Sequence, residues 1–240
     1  MRLSDFEALT FDVFGTLIDW ESGIVEALRP LTAQLAEPPD RDRILEAHAH
    51  HESRLQALTP AKRYQELLAV VYRRLAEDWG LAVSWHECLV YGRSVGQWPA
   101  FPDTPEALAY LARHHRLAVL SNVDNESFAL ASDKLGVGFD AVFTAEDIGS
   151  YKPSPRNFDY MIGELARRGI DRSGILHVAE SLFHDHGPAR RAGLAGCWIH
   201  RRHGQGGFGA TMPPEDAARP ALAFDSLADL VAAHRRERAG

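Results

Sequence analysis

TFDVFGTLIDW, residues 10–20, carries an apolar run into an ionisable side chain and then turns at once. Together with Ala8 and Leu9 it reads as a buried strand over residues 8–14. Asp12 sits at the end of the apolar run, with Gly15 and Thr16 in the turn that follows. A surface acid needs no such setting, so Asp12 is placed rather than tolerated.

Outward from this strand the pattern changes twice. Residues 20–98 carry only helical periodicity, with apolar positions three to four apart in GIVEALRPLTAQLA, RILEAHAHHESRLQAL, AKRYQELLAVVYRRLAEDWG and SWHECLVYGRSVGQW. A Pro-rich joint, WPAFPDTPEAL (98–108), closes the block, with Thr104 expected as helix cap and Pro105 as first helical residue. Beyond it strands and helices alternate: strands at 116–122, 140–145, 174–180 and 195–200, helices at 125–135, 154–169 and 184–193, then a last strand and helix within 221–234. Such alternation implies an α/β fold, a doubly wound parallel, Rossmann-like sheet covered on both faces. The block within the core is expected to be an inserted all-helical cap domain, dividing the chain into core 1–19, cap 20–98 and core 99–240. The Gly-rich GQGGFGA (204–210) lacks the Lys-Ser/Thr ending of a phosphate loop and reads as a flexible surface loop.

Bulk properties narrow the function classes. The 240 residues are 45% hydrophobic and 25% charged, ordinary for a globular protein with a sizeable core. A formal net charge of -7 without a basic block argues against nucleic acid as a partner. No stretch approaches the roughly 20 apolar residues of a membrane helix, and the acidic start lacks a secretory pattern. Cys88 and Cys197 stand far apart without a CxxC spacing, so a reduced, cytoplasmic setting is expected.

In an open parallel sheet ligands bind beyond the carboxyl ends of the strands. The residues there are Asp12 and Thr16, then Ser121 and Asn122, then Lys152, then Glu180, Ser181 and Asp185. FDVFGTL, LSNVD, YKPSP and HVAESLFHDHGPARRAG resemble, in order and spacing, the four motifs of the haloacid dehalogenase superfamily, and the resemblance spans nearly the whole chain. Within it, DVFGTLIDW is more similar to the 2-haloacid dehalogenase branch than to the phosphatases. The resemblance implies a covalent aspartyl mechanism without an organic cofactor. Asp12 would be the nucleophile and Lys152 the cation that keeps it ionised. Thr16 and Ser121 would orient Asp12 and a bound carboxylate, and Asn122 would contact the halide. Glu180 or Asp185 would position the hydrolytic water, with Ser181 beside them at the strand end.

Phosphatases of the superfamily carry a second Asp two positions after the nucleophile, as acid for a poorly leaving alkoxide. Here that position is Phe14, whose ring can line a carbon–halogen bond. Three departures accompany this. The cap arginine that grips the halide has no counterpart, and EAHAHHESR offers His48, His50, His51 or Arg54 on what reads as a solvated helix face. An aromatic hydroxyl six residues after the motif lysine is here Phe158. The last motif also resembles the phosphatase form, in which Glu180 and Asp185 would hold Mg²⁺ with Asp12. Three readings therefore stand: a metal-free hydrolase of small 2-haloalkanoic acids, a Mg²⁺-dependent phosphatase of a small metabolite, and a catalytically weakened ligand-binding member. The expected partner is a small-molecule carboxylate, and a homodimer stays open.

Overall fold

The structure, a computed structural model, describes residues 1–214 and 220–240. Its strands β1 (Ala8–Phe11), β2 (Arg116–Ser121), β3 (Ala141–Thr144), β4 (Ile175–Ala179), β5 (Ala195–Ile199) and β6 (Leu222–Phe224) form one sheet in the order β3-β2-β1-β4-β5-β6. Every neighbouring pair is parallel. Parallel neighbours need crossovers, which here carry α5 (Thr104–Leu111), α6 (Asn125–Leu135), α7 (Ala145–Ile148), α8 (Pro155–Arg167) and α9 (Gly187–Arg191), and α10 (Leu227–Ala239) follows the last strand. β1 and β4 are buried along their whole length, which is why they read as continuous apolar runs rather than alternating ones. Ala8, Ala118, Leu120 and Ile175 pack on Phe158, Met161 and Leu165 of α8, while Leu9, Phe11, Val119 and Val178 belong to the core on the other face.

Between β1 and β2 lie α1 (Trp20–Thr32), α2 (Arg41–Leu58), α3 (Tyr64–Asp78) and α4 (Trp85–Arg93). The chain entering and leaving this helical insert runs side by side: Asp19 N–H donates to Pro99 O at 2.8 Å and Phe101 N–H to Leu17 O at 3.0 Å. Apolar side chains of the insert, such as Ile24, Leu45 and Tyr72, belong to the same buried cluster as the sheet face.

Four expectations are corrected. β1 ends at Phe11, not at residue 14, because the Val13 carbonyl accepts from the amides of Thr16, Leu17 and Ile18 and closes a turn. Gly15 permits this turn at φ 102°, with Trp20 Nε1 only 3.0 Å from where a Cβ would sit. Thr104 is not the cap of α5, since Asp103 holds that position and the Thr104 hydroxyl donates to Leu17 O at 3.0 Å. The helix expected over 184–193 begins earlier, as a π-helical turn at Leu182–His186 leading into α9, because the Ser181 hydroxyl takes the His184 amide at 3.0 Å. Finally, the Gly-rich segment is a surface loop only over residues 204–208, which are exposed; at its end Gly209 and Ala210 are buried, and the Ala210 amide donates to Glu21 Oε1 at 3.2 Å. Cys88 and Cys197 are both buried free thiols. No helix among the described residues is long and apolar enough to cross a membrane.

Candidate active site

β1 has β2 on one side and β4 on the other, so the strand order reverses at β1 and leaves a crevice beyond its carboxyl end. Asp12 enters that crevice, held by its amide on Val178 O at 3.1 Å. Its Oδ2 accepts the Thr16 hydroxyl at 2.7 Å, and Thr16 Oγ1 in turn accepts the Glu180 amide at 2.9 Å. Its Oδ1 faces the ammonium of Lys152 at 2.9 Å. Lys152 is 1% exposed, and its Nζ has two further partners, Asp185 Oδ1 at 2.6 Å and Leu120 O at 3.0 Å. A buried ammonium is tolerable when all three N–H groups are taken, as here. Asp185 is aligned from behind by His177, whose Nε2 lies 2.9 Å from Oδ1 and whose Nδ1 meets the Thr10 hydroxyl at 2.9 Å.

One cation thus serves two carboxylates, and they share it unequally. Burial penalises charge on all three groups. For Asp185, Lys152 and His177 overcome that penalty and hold the carboxyl well below its usual range. Lys152, flanked by both acids, stays above its ordinary value despite burial. For Asp12 burial prevails over the attraction of Lys152, and the nearby Asp185 charge adds to the upward push.

The space beside Asp12 is small, about 20 Å³, and the insert covers it. Phe14, Asn122, Lys152, Ser181 and Asp185 line it from the core, and Trp20, Glu52, Gln56 and Tyr64 from α1, α2 and α3. Tyr64 hydroxyl and Gln56 Nε2 both donate to Glu52 Oε1, at 2.8 and 3.2 Å. Burial pushes the Glu52 carboxyl up to about 7. His184 also lines this space. Its Nδ1 lies 3.3 Å from Ser181 Oγ, while its Nε2 is buried without a hydrogen-bond partner among the described residues. Burial lowers its pKa to about 4, so the imidazole is neutral near pH 7.

The structure therefore brings Asp12, Thr16, Lys152, Asp185, Asn122, Ser181 and Phe14 together. Asn122 is engaged: its Oδ1 accepts the Lys152 amide at 2.7 Å and its Nδ2 donates to Lys152 O at 3.0 Å, so it positions the lysine. Ser121 ends β2 buried, with its Oγ unpartnered among the described residues. Glu180 turns aside and lines two neighbouring cavities instead, of about 290 and 140 Å³. There burial, Glu21, Asp12 and Asp185 raise its carboxyl to about 8. His48 is not at the site and not solvated; it is fully buried one turn before Glu52, its Nδ1 3.6 Å from Glu52 Oε2 and its ring 6.2 Å from that of Tyr91. Phe158 does not reach the site either, because α8 turns it under the sheet, edge-on to the His177 ring at 5.2 Å. Glu52, Gln56, Tyr64 and His184 escaped the sequence reading. The i, i+4 pair Glu52–Gln56 was visible as one helix face, but nothing local said what that face covers.

A divalent magnesium ion needs a near-octahedral shell of oxygens. Here Oδ1 of both Asp12 and Asp185 faces the Lys152 ammonium, Asp12 Oδ2 holds Thr16, and Glu180 opens elsewhere. Asp185 Oδ2, buried and unpartnered among the described residues, is the carboxylate oxygen left over. The residues present do not fit Mg²⁺.

A family profile for haloacid dehalogenase-like hydrolases matches residues 6–193. Similar solved structures include an L-2-haloacid dehalogenase at 24% identity, covering 98% of this chain and 100% of that one, with a TM-score of 0.73. Another is L-2-haloacid dehalogenase from Xanthobacter autotrophicus with chloropropionic acid covalently bound, at 21% identity over 97% of this chain and 98% of that one, TM-score 0.77. A third, described as a HAD-hydrolase from Bacillus subtilis bound to magnesium, is 18% identical over 98% of this chain and 100% of that one, TM-score 0.74. A comparison with curated proteins gave no match.

Proposed function

Because this chain belongs to the haloacid dehalogenase-like hydrolases, we propose that it hydrolyses the carbon–halogen bond of small 2-haloalkanoic acids, with Asp12 as nucleophile and no metal. The observation that carries this reading is the ammonium of Lys152 between Asp12 and Asp185, in the place a bridging cation would need. Phe14 stands where an alkoxide leaving group would require an acid, and a halide departs unprotonated. Asp12 attacks the carbon bearing the halogen, a C–O bond forms, and the halide leaves with the bonding pair. Water then adds to the carbonyl carbon of the aspartyl ester, yielding the 2-hydroxy acid and free Asp12. His184, which lines the space with its Nε2 unpartnered among the described residues, takes the proton from this water, while Asp185 Oδ1 is occupied by Lys152 and His177. Glu52, neutral below about pH 7, spares an anionic substrate a further negative charge. On the insert side the donor in place of the family arginine is the second N–H of Gln56, while the Tyr64 hydroxyl holds Glu52. A space of about 20 Å³ holds about one water, so the insert acts as a cap that lifts to admit substrate.

The test is a single turnover in heavy-oxygen water with enzyme in excess over 2-chloropropionate. Ordinary oxygen should appear in the product and heavy oxygen in the peptide containing Asp12, and exhaustive chelation should leave halide release intact. Heavy oxygen entering the product directly would make Asp12 a general base and overturn the covalent scheme. Metal-dependent phosphate release without halide release would overturn the substrate class.

A further inference from the structure

We propose that His200, His203 and Asp225 form a binding site for one transition-metal dication of the zinc class, outside the Asp12 cavity. The placement follows from the sheet. β5 and β6 run in parallel register, Ile199 opposite Phe224, and the next step pairs the chain after each strand: the His200 amide donates to Phe224 O at 2.8 Å. His200 and Asp225 are thus neighbours by backbone pairing. The turn that follows returns the His203 amide to His200 O at 3.0 Å, adding a second imidazole on the same side.

A ligating atom from each of the three residues lies within 4.8 Å of the other two, and His203 Nδ1 is 3.1 Å from Asp225 Oδ1. Four ligands at about 2.0–2.1 Å around zinc stand roughly 3.3 Å apart. Rotation of His203 and Asp225, whose side chains are 67% and 57% exposed, closes the remaining gap. His200 is already fixed: its ring stacks on Trp198 with centroids 4.1 Å apart and planes at 20°. The two arginines between the histidines are engaged elsewhere, Arg201 on Thr16 O and Asp103, Arg202 on Glu21. Two imidazole nitrogens and one carboxylate oxygen select Zn²⁺, Co²⁺, Ni²⁺ or Cu²⁺ over Mg²⁺ and Ca²⁺, with water completing the shell.

Calorimetric titration of the full-length, chelator-stripped protein with ZnCl₂, and separately with MgCl₂, tests the site directly. One equivalent of Zn²⁺ should bind and Mg²⁺ should not. His200→Ala, His203→Ala and Asp225→Asn should each weaken zinc at least tenfold, while His50→Ala on α2 should leave it unchanged. Cobalt should give the visible absorption of a low-coordinate site in the wild type and lose it in His203→Ala, whose side chain is exposed enough to be removed without disturbing the core. Absence of zinc binding, or wild-type affinity in the three variants, would overturn the proposal. Neither result bears on Asp12, so this proposal and the proposed reaction fail separately.

Discussion

Lys152 decides the electrostatics of the site, because removing it would leave Asp12 and Asp185 as two buried acids without a cation. Lys152→Ala should lower kcat/KM by about 10²–10⁴-fold and move the acid limb of its pH profile upward, since the attraction that opposes burial at Asp12 is gone. Breaking a buried ion pair also costs about 3–5 kcal/mol of stability, so thermal unfolding should be followed alongside. Lys152→Arg should rescue poorly, a planar fork being a poor copy of a point charge with three partners. Near-normal turnover in the Ala variant would reduce Lys152 to a structural role. His184→Asn separates the two chemical steps. Halide should be released in a burst of one per enzyme, followed by ester hydrolysis slowed about 10²–10⁴-fold. Absence of a burst, with unchanged steady-state turnover, would remove His184 from the reaction.

Among the elements, the segment after β5 contributes more than its glycines suggested. Arg202 reaches from it to Glu21 of α1 at 2.6 Å and to Asp42 of α2 at 3.1 Å, and so ties the sheet to the insert. Gly209 lies against this pair at φ 61°, where an added Cβ would stand 1.7 Å from Glu21 Oε1 and 2.5 Å from Arg202 Nη1. Both the backbone conformation and the space therefore demand glycine. Gly209→Ala should cost about 1–3 kcal/mol in denaturant unfolding. A change within experimental error would show that the segment simply moves aside.

On the scale of the whole molecule, buried titratable groups shape stability against pH in two opposite ways. His48 falls to about 3, and His184, His186 and His234 to about 4, from an ordinary 6.5. Burial drives all four. Below pH 6.5 the unfolded chain takes up protons that these folded histidines refuse, so stability declines as the medium turns acid. Burial acts in the other sense on Glu52 and Glu180, raised from 4.5 to about 7 and about 8. The folded protein keeps those protons while the unfolded chain loses them, so stability also declines as pH climbs from 4.5 through 7–8. Four histidines outweigh two carboxyls below pH 6.5, and the carboxyls act alone above it. The urea midpoint should therefore peak near pH 6.5, and Glu52→Gln should flatten the alkaline limb. A midpoint that rises steadily to pH 8 would show that Glu52 ionises freely in the fold.

Strand–helix alternation after residue 98 and the apolar run into Asp12 were enough to place a parallel sheet and a buried acid, Asp12, at a strand end. Those features are local: side-chain periodicity and turn chemistry act over a few residues, so they survive in a one-dimensional string. The strand ends at which Thr16, Lys152 and Asp185 stand were legible for the same reason. Tertiary structure alone decided the rest. Helical spacing on α2 showed a face but not its partner, so His48 was expected at the site where Glu52 and Gln56 stand. Residues Ile199 and Phe224 had to pair before His200 and Asp225 became neighbours. The division of one ammonium between Asp12 and Asp185, and the neutrality of His184, depend on burial and on distances of 2.6–2.9 Å between groups up to 140 residues apart. Desolvation and Coulomb attraction are set by three-dimensional surroundings, and no periodicity along the chain encodes them.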